Sequence, residues 1–324
     1  ELKFPECNND VLEDDIFNII HHLDHVIELV LDTLNAIQIS SLYMIAAKKS
    51  KKATAYITSA NYIQSAIRIL PKDIWQKDYK HALAVYYEAA EIMYLNRDFK
   101  AFQNFAESIL HNAKRVLDKS KIVELQVQSL TVQNKNEEAI DTGLKFLKLL
   151  GVSMSQNPGS LSVLFYYLKI KFSLFNKKVS NLKNIPDNQK PVDIAILRIM
   201  LKLGPPVYIS KPELYPILIF KMVLHSMRKG NTAMALPFYG GLGLIFCAVF
   251  NDIPRGYEFG QLALSLLEQK DKKEFECRTR FMVHCFVSHW KEHLRDVSYS
   301  LYESYKIGLG TAELEMSSYS LSMY

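Results

Sequence analysis

The chain has 324 residues and a formal net charge of +5, and its Gly 12 and Pro 11 make up about 7% of it, against about 12% in average proteins. That shortage of turn formers excludes a loop-dense sandwich or propeller, while 49% hydrophobic and 11% aromatic residues exclude a disordered chain. The positive excess is too mild and too dispersed for a nucleic-acid interface. Its dense cluster, Lys48-Lys49-Ser50-Lys51-Lys52, reads as a solvated loop between two helices.

The opening ELKFPECNNDVLEDD is polar and acidic, with no apolar signal core. From there apolar residues recur at helical spacing, and no stretch alternates at period two. Helices are expected at 12–35, 37–49, 52–69, 78–96, 98–117, 119–133, 136–150, 159–175, 191–203, 212–229, 231–250, 252–269, 272–290, 293–309 and 311–324. Asn96-Arg97-Asp98, Asn134-Lys135-Asn136, Gly230-Asn231 and Asn251-Asp252 supply polar turns that tolerate left-handed or capping conformations. Pro205-Pro206 predicts a break. The uncharged run Thr232 to Phe250 is long enough to span a bilayer, but Pro237, Gly240, Gly241 and Gly243 favour a buried central helix. The closing residues stop within a helical pattern, so both ends predict a fragment of a longer polypeptide. Cys7, Cys247, Cys277 and Cys285 lack C-x-x-C spacing and are expected to be reduced thiols of a cytoplasmic protein.

Helices joined by such short turns fold back as hairpins, and small residues recur in them. Ala89 is followed by Ala101, Phe105 and Ser108; Val127 by Ala139, Gly143 and Phe146; Leu244 by Gly256, Gly260 and Ala263; Met282 by Leu294, Ser298 and Leu301; and, more loosely, Ser41 by Ala53, Ile57 and Ala60. This is the tetratricopeptide arrangement, in which small residues let paired helices approach closely. The fold class expected is all-α, with tetratricopeptide-like helical-hairpin repeats forming a right-handed superhelix: N-terminal repeats over 1–151, an irregular linker over 152–190 and C-terminal repeats over 191–324. The packing residues expected are Ala53, Ala89, Ala101, Ala139, Gly143, Gly256, Gly260 and Ala263.

Chemical signatures are scarce. There is no phosphate-cradling G-x-x-x-x-G-K-[ST] and no G-x-S-x-G elbow, and His293-Leu294-Arg295-Asp296 only superficially matches a kinase catalytic loop. Gly240-Gly241-Leu242-Gly243 follows no strand and reads as close helix packing rather than a dinucleotide loop. His21 with His25, and His289 with His293, stand four apart, a spacing that can hold zinc, but the metalloprotease glutamate is missing and structural roles are favoured. No catalytic, cofactor or metal site is expected. Aromatic clusters at Tyr86, Tyr87, Tyr94, Phe99, Phe102 and Phe105, and at Phe165, Tyr166, Tyr167, Phe172 and Phe175, read mostly as core, any exposed members forming a groove for a peptide or partner helix. Trp290 is expected to wedge between adjacent hairpins, the other reading being an exposed interaction anchor with Glu292, His293 and Arg295.

The runs DIPRGYEFGQLALSLLE (252–268), GNTAMALPFYGGLGLIFCAVF (230–250), HWKEHLRD (289–296), LRIMLKLGPPVYISKPELYPILIFKM (197–222) and IVELQVQSLTVQNKNEEAIDTGLKFLKLLGV (122–152) resemble the helical region of large bacterial multidomain signalling proteins. In those proteins a protein-kinase-like domain and an AAA-type ATPase module precede that region, and a GAF sensor and a histidine-kinase or other output domain often follow. The resemblance implies a non-catalytic interaction or signal-relay segment whose partner is a protein, a peptide or a flanking domain, with neither nucleic acid nor a membrane span involved. The alternative is a stand-alone adaptor or a secreted bacterial effector binding a partner protein.

Overall fold

Every regular element in the computed structural model, which describes residues 9–25, 33–175, 178–269, 273–311 and 313–324, is a helix. Among the described residues the one β-type pairing is an isolated bridge between Asp187 and Asn231. The chain divides into two compact units, residues 1–133 and 134–324.

The first unit contains α1 (Asn9–Asp24), α2 (Thr33–Lys52), α3 (Tyr56–Arg68), the short α4 (Ile74–Lys77), α5 (Tyr79–Leu95), α6 (Phe99–Asn112), a 3-10 turn (Val116–Lys119) and α7 (Ser120–Val132). Asp78 and Asp98 start α5 and α6 by accepting the backbone N–H groups of His81 and Ala101, each at 3.0 Å. Left-handed Thr54 (φ 59°) and Arg97 (φ 61°) end α2 and α5. The next N–H reaches back five residues in both turns, Ala55 to Ser50 and Asp98 to Met93, each at 3.0 Å. This is the Schellman closure, which satisfies carbonyls the helix end leaves open.

Three expectations change here. The single helix expected over 12–35 is interrupted: α1 stops at Asp24 and α2 starts at Thr33, while 26–32, like Cys7, lie outside the described residues. The basic cluster 48–52 is not a loop but the last turn and a half of α2, where cations suit the negative end of the helix dipole. Lys51 there bridges α2 to α5 through Glu88 (2.6 Å) and Glu91 (3.3 Å), and Lys121 of α7 also reaches Glu91 (3.5 Å). Burial works against the Lys51 charge, but the two carboxylates more than offset it and hold its pKa above the ordinary value. Finally, Ala53 does no packing. It sits exposed in the turn, and the close approach falls further along, where the Ser59 hydroxyl donates to the Ala47 carbonyl at 2.7 Å beside buried Ala60.

The second unit contains α8 (Asn136–Leu149), α9 (Ser160–Ser173), a 3-10 turn (Val179–Asn184), α10 (Pro191–Ser210), α11 (Tyr215–Lys229), α12 (Leu236–Ala248), α13 (Ile253–Gln269), α14 (Lys273–Phe286), a 3-10 turn (Ser288–Trp290), α15 (Leu294–Gly310) and α16 (Leu314–Met323). The segment 152–190 lies wholly inside this unit. Contrary to the expected break, α10 runs through Pro205 and Pro206 to Ser210. The residue before Pro205 is Gly204, whose missing Cβ eases part of the clash a proline makes with its predecessor; Pro206 follows Pro205 and gains no such relief.

At the centre stands α12, which has no charged residue and is buried along almost its whole length. Its glycines admit a different neighbour on each side. A Cβ on Gly240 would come within 3.2 Å of Met282 in α14, and one on Gly241 within 3.0 Å of Ile219 in α11. A Cβ on Gly243 would lie 2.7 Å from the Gly256 carbonyl, and one on Gly256 equally close to the Gly243 carbonyl, so α12 and α13 touch backbone to backbone. Gly260 meets Val283 and Val287 in the same way, with Ala263 fully buried one turn on. In α8, Ala139 and Gly143 are buried, and the space over Gly143 is filled by Leu203 of α10. In the first unit Ala89 is fully buried, whereas Ala101 is only half-buried. No helix among the described residues is long and apolar enough to cross a membrane.

The α12–α13 contact leaves no room for a methyl group. Gly256→Ala should therefore lower stability by about 1–3 kcal/mol by overpacking. Gly310→Ala, at a helix end where nothing lies within 4 Å of the new Cβ, should change it by less than about 1 kcal/mol. Denaturant unfolding of the two variants decides the matter, and equal effects would contradict the backbone contact.

Candidate functional site

An apolar cavity of about 350 Å³ opens in the second unit where α10, α12, α14 and α16 converge. The α10 wall is supplied by the turns around Pro205, with Tyr208 and Ile209 at the rim, 50% and 64% exposed. Phe281 and Phe286 of α14 form the floor with rings 5.7 Å apart edge to face, and Tyr319 of α16 stacks on Phe281 at 6.0 Å. Met282, Met316 and Met323 complete the lining. Methionine is unbranched and polarisable, so such a wall reshapes around different apolar guests.

The cavity's one charged lining residue is Arg278. Its guanidinium is committed to α16, reaching Glu313 at 3.3 Å and Glu315 at 3.9 Å. Behind the floor, the Cys277 thiol donates to the Ser304 carbonyl at 3.2 Å, and burial pushes its pKa up to about 11. Burial does the same to Cys247 and Cys285, also to about 11, and all three described cysteines are free thiols. At neutral pH such thiols are almost wholly protonated and make poor nucleophiles.

The turn carrying Trp290 is organised differently from the expectation. Trp290 is 38% exposed and does not wedge between hairpins. The tryptophan that packs is Trp75 in α4, which is buried with its ring 5.0 Å from Tyr86 and 6.1 Å from Tyr79. Glu292 accepts the Tyr257 hydroxyl at 2.9 Å and so ties the turn to α13, with Lys291 over the Tyr257 ring at 5.2 Å. His293 caps α15, its Nδ1 accepting the Arg295 N–H at 3.2 Å, while the Arg295 side chain is exposed. His289 belongs to the 3-10 turn and His293 to the cap, so their spacing of four does not place them on one helical face. His21 and His25 are near neighbours, with rings 5.1 Å apart at the exposed end of α1. Among the described residues no three His, Cys, Asp or Glu side chains are grouped to hold a metal ion.

A buried polar knot also lies in the second unit. Asn231 donates to the Leu182 carbonyl (2.9 Å) and accepts the Tyr239 hydroxyl (2.7 Å); Asn188 donates to Asp193 (2.9 Å), whose other oxygen faces His225 Nε2 at 2.9 Å. The backbone around Asn231 pairs with Pro186 and Asn188. These bonds pin the loop after the 3-10 turn to α10, α11 and α12. The Asp193–His225 pair resembles an acid–base couple, but its partners fix a loop and it does not line the cavity. Burial lowers the His225 pKa, more than Asp193 raises it.

No family model matches the chain. In an alignment of 306 residues that covers 86% of this chain, it is 24% identical to the hybrid signal transduction histidine kinase G of Dictyostelium discoideum, and it spans 9% of that protein's length. The chain is thus distantly similar to a region of a signal-transduction kinase, and that relative comes from Dictyostelium, not from the bacteria that the sequence resemblance predicts.

Two outcomes follow from these environments. Trp75→Ala should cost about 3–5 kcal/mol, whereas Trp290→Ala, at a ring 38% exposed, should cost about 1–2 kcal/mol; chemical denaturation separates them, and an equal loss at Trp290 contradicts its more exposed placement. The second concerns pH. The unfolded chain protonates His225 near the ordinary imidazole value of about 6.5, and the folded chain resists. Stability is therefore full above that pH and declines below it. His81 and His284, whose pKa values burial also lowers, act in the same sense. The melting temperature should fall between about pH 7.5 and about pH 5.5, and less so in His225→Gln; a midpoint that is flat or rises on acidification counts against these buried imidazoles.

Proposed function

We propose that this chain is a non-catalytic helical interaction segment of a larger cytoplasmic signalling protein, built from tetratricopeptide-like hairpins in a right-handed superhelix. It binds an apolar helix or peptide, from a partner protein or from a flanking part of its own polypeptide, in the methionine- and aromatic-lined cavity of the second unit. That cavity is the observation that carries the reading. Its walls offer hydrocarbon and ring surface, and its one charged residue is already paired with two glutamates. Such walls suit the anchors of an amphipathic helix, spaced three and four residues apart. The distant similarity to a histidine kinase supports the signalling context. The left-handed residues Thr54, Arg97, Asn134 and Asn251, separated by 43, 37 and 117 residues, support a repeat of about 40 residues, in the range of helical-hairpin arrays.

The test is a selection of displayed amphipathic peptides on the purified chain, with affinities measured by titration. The expected winners carry large apolar residues at helical spacing. Ile209→Glu, at the exposed rim, should weaken them by at least about 10-fold, or about 1.4 kcal/mol, at an unchanged melting temperature. Absence of saturable binding, or ATP turnover by this chain, overturns the proposal.

A further inference from the structure

The strongest feature outside the cavity is the outer face of α9. Leu161, Leu164, Phe165, Leu168 and Phe172 are 82%, 46%, 58%, 43% and 76% exposed, and Phe175 just beyond the helix is 72% exposed. At 100° per residue the five helical positions fall within an arc of about 100°. The other face is buried in the usual way, with Ile170 fully covered and Tyr167 stacked on Phe250 at 3.6 Å. The sequence cluster expected to be core is therefore split, Tyr167 packing inward while Phe165, Phe172 and Phe175 point out. A stripe of large apolar side chains this long is uncommon on a surface that has no partner.

Charge identifies the partner. On the same helical projection Lys169 and Lys171 flank the stripe, one at each edge. Their ammonium groups fold over the rings of Phe165 (5.5 Å) and Tyr167 (5.1 Å), and Lys221 of α11 lies over Tyr166 at 5.0 Å. Between Asp141 and Asp187 the sequence contains seven lysines and no acidic residue. Beyond the end of α9 a polar recess of about 800 Å³ is lined by Lys178, Lys183 and Arg255, with Glu258 as its one acid.

We propose that this face of α9 docks on the surface of an anionic phospholipid bilayer. The leucines and phenylalanines enter the boundary between headgroups and acyl chains, and the lysines reach outward along their stems to the phosphates. The helix has 14 residues, about 21 Å, too short to span the roughly 30 Å hydrocarbon core, so it lies in the plane of the interface. A protein partner would be expected to meet specific opposite charges on a shaped groove. Here the apolar stripe is flanked by lysines, in a stretch of sequence without an acid, which suits a fluid sheet of phosphates. This site is separate from the cavity and does not depend on it.

The test is co-sedimentation of the full chain with phosphatidylcholine vesicles and with vesicles containing about 30% phosphatidylserine. Binding to the anionic vesicles should be at least about 10-fold stronger and should weaken as salt rises to about 0.5 M. The double variants Phe165→Ser/Phe172→Ser and Lys169→Glu/Lys171→Glu should each lower it by at least about 10-fold at unchanged melting temperatures. Ile209→Glu should leave it unaltered, which keeps failure at the cavity distinct from failure here. Equal or absent binding to both vesicle types overturns the proposal, as does binding that survives loss of the phenylalanines. A dimer that Phe165→Ser/Phe172→Ser dissociates, with no vesicle binding, identifies a protein interface instead and overturns it too.

Discussion

One requirement organises the second unit: α12 is apolar all round and must be covered on every side. A helix of that kind cannot rest on one neighbour, because any face left open would expose hydrocarbon to water. Glycines at positions 240, 241 and 243 answer this by removing side chains where α14, α11 and α13 approach. The enclosing helices are then held at short range, and their outward surfaces are placed by that packing. The cavity lies beside α12, lined by its Pro237 and Leu244 together with residues of α10, α14 and α16.

Among its described residues the first unit has no uncharged helix of this kind. It relies on small residues at hairpin crossings, on aspartate caps and on Lys51, whose charge is shared by two glutamates of α5. Breaking such a half-buried set from one side would leave an uncompensated carboxylate at Glu88, which is 6% exposed. Both units thus bring helices close through small residues and pair charges between them, but only the second is gathered around an uncharged helix.

The helical character, the turns at Arg97 and Asn251 and the small residues at Gly256 and Gly260 were legible because each depends on neighbours close in sequence. What escaped was settled by tertiary placement. Pro205-Pro206 looked like a break because the local rule is strong, but Gly204 eases the clash ahead of Pro205 and the helix is packed on both sides of the pair through buried Leu203, Pro206 and Val207. Ala53 matched a spacing yet fell in a turn, since the hairpin's true crossing lies at Ala47 and Ser59. Trp75 and Trp290 are alike in sequence and opposite in burial, which no periodicity distinguishes. The cavity draws on elements more than a hundred residues apart, so no local pattern contains it. The outward face of α9 was hidden for the opposite reason: an apolar stripe at helical spacing looks the same whether it meets protein or not.

The acid-free stretch in the middle of the chain also changes the meaning of the protein's average charge. It holds seven of the 39 basic residues and none of the 34 acidic ones, so the remaining residues carry 32 against 34 and are slightly negative as a whole. The isoelectric point of about 8.8 therefore describes no part of the molecule well. Along the sequence the uncompensated positive charge is therefore drawn from one stretch rather than spread evenly. A negatively charged surface would attract the molecule chiefly through that stretch, and added salt would weaken the attraction.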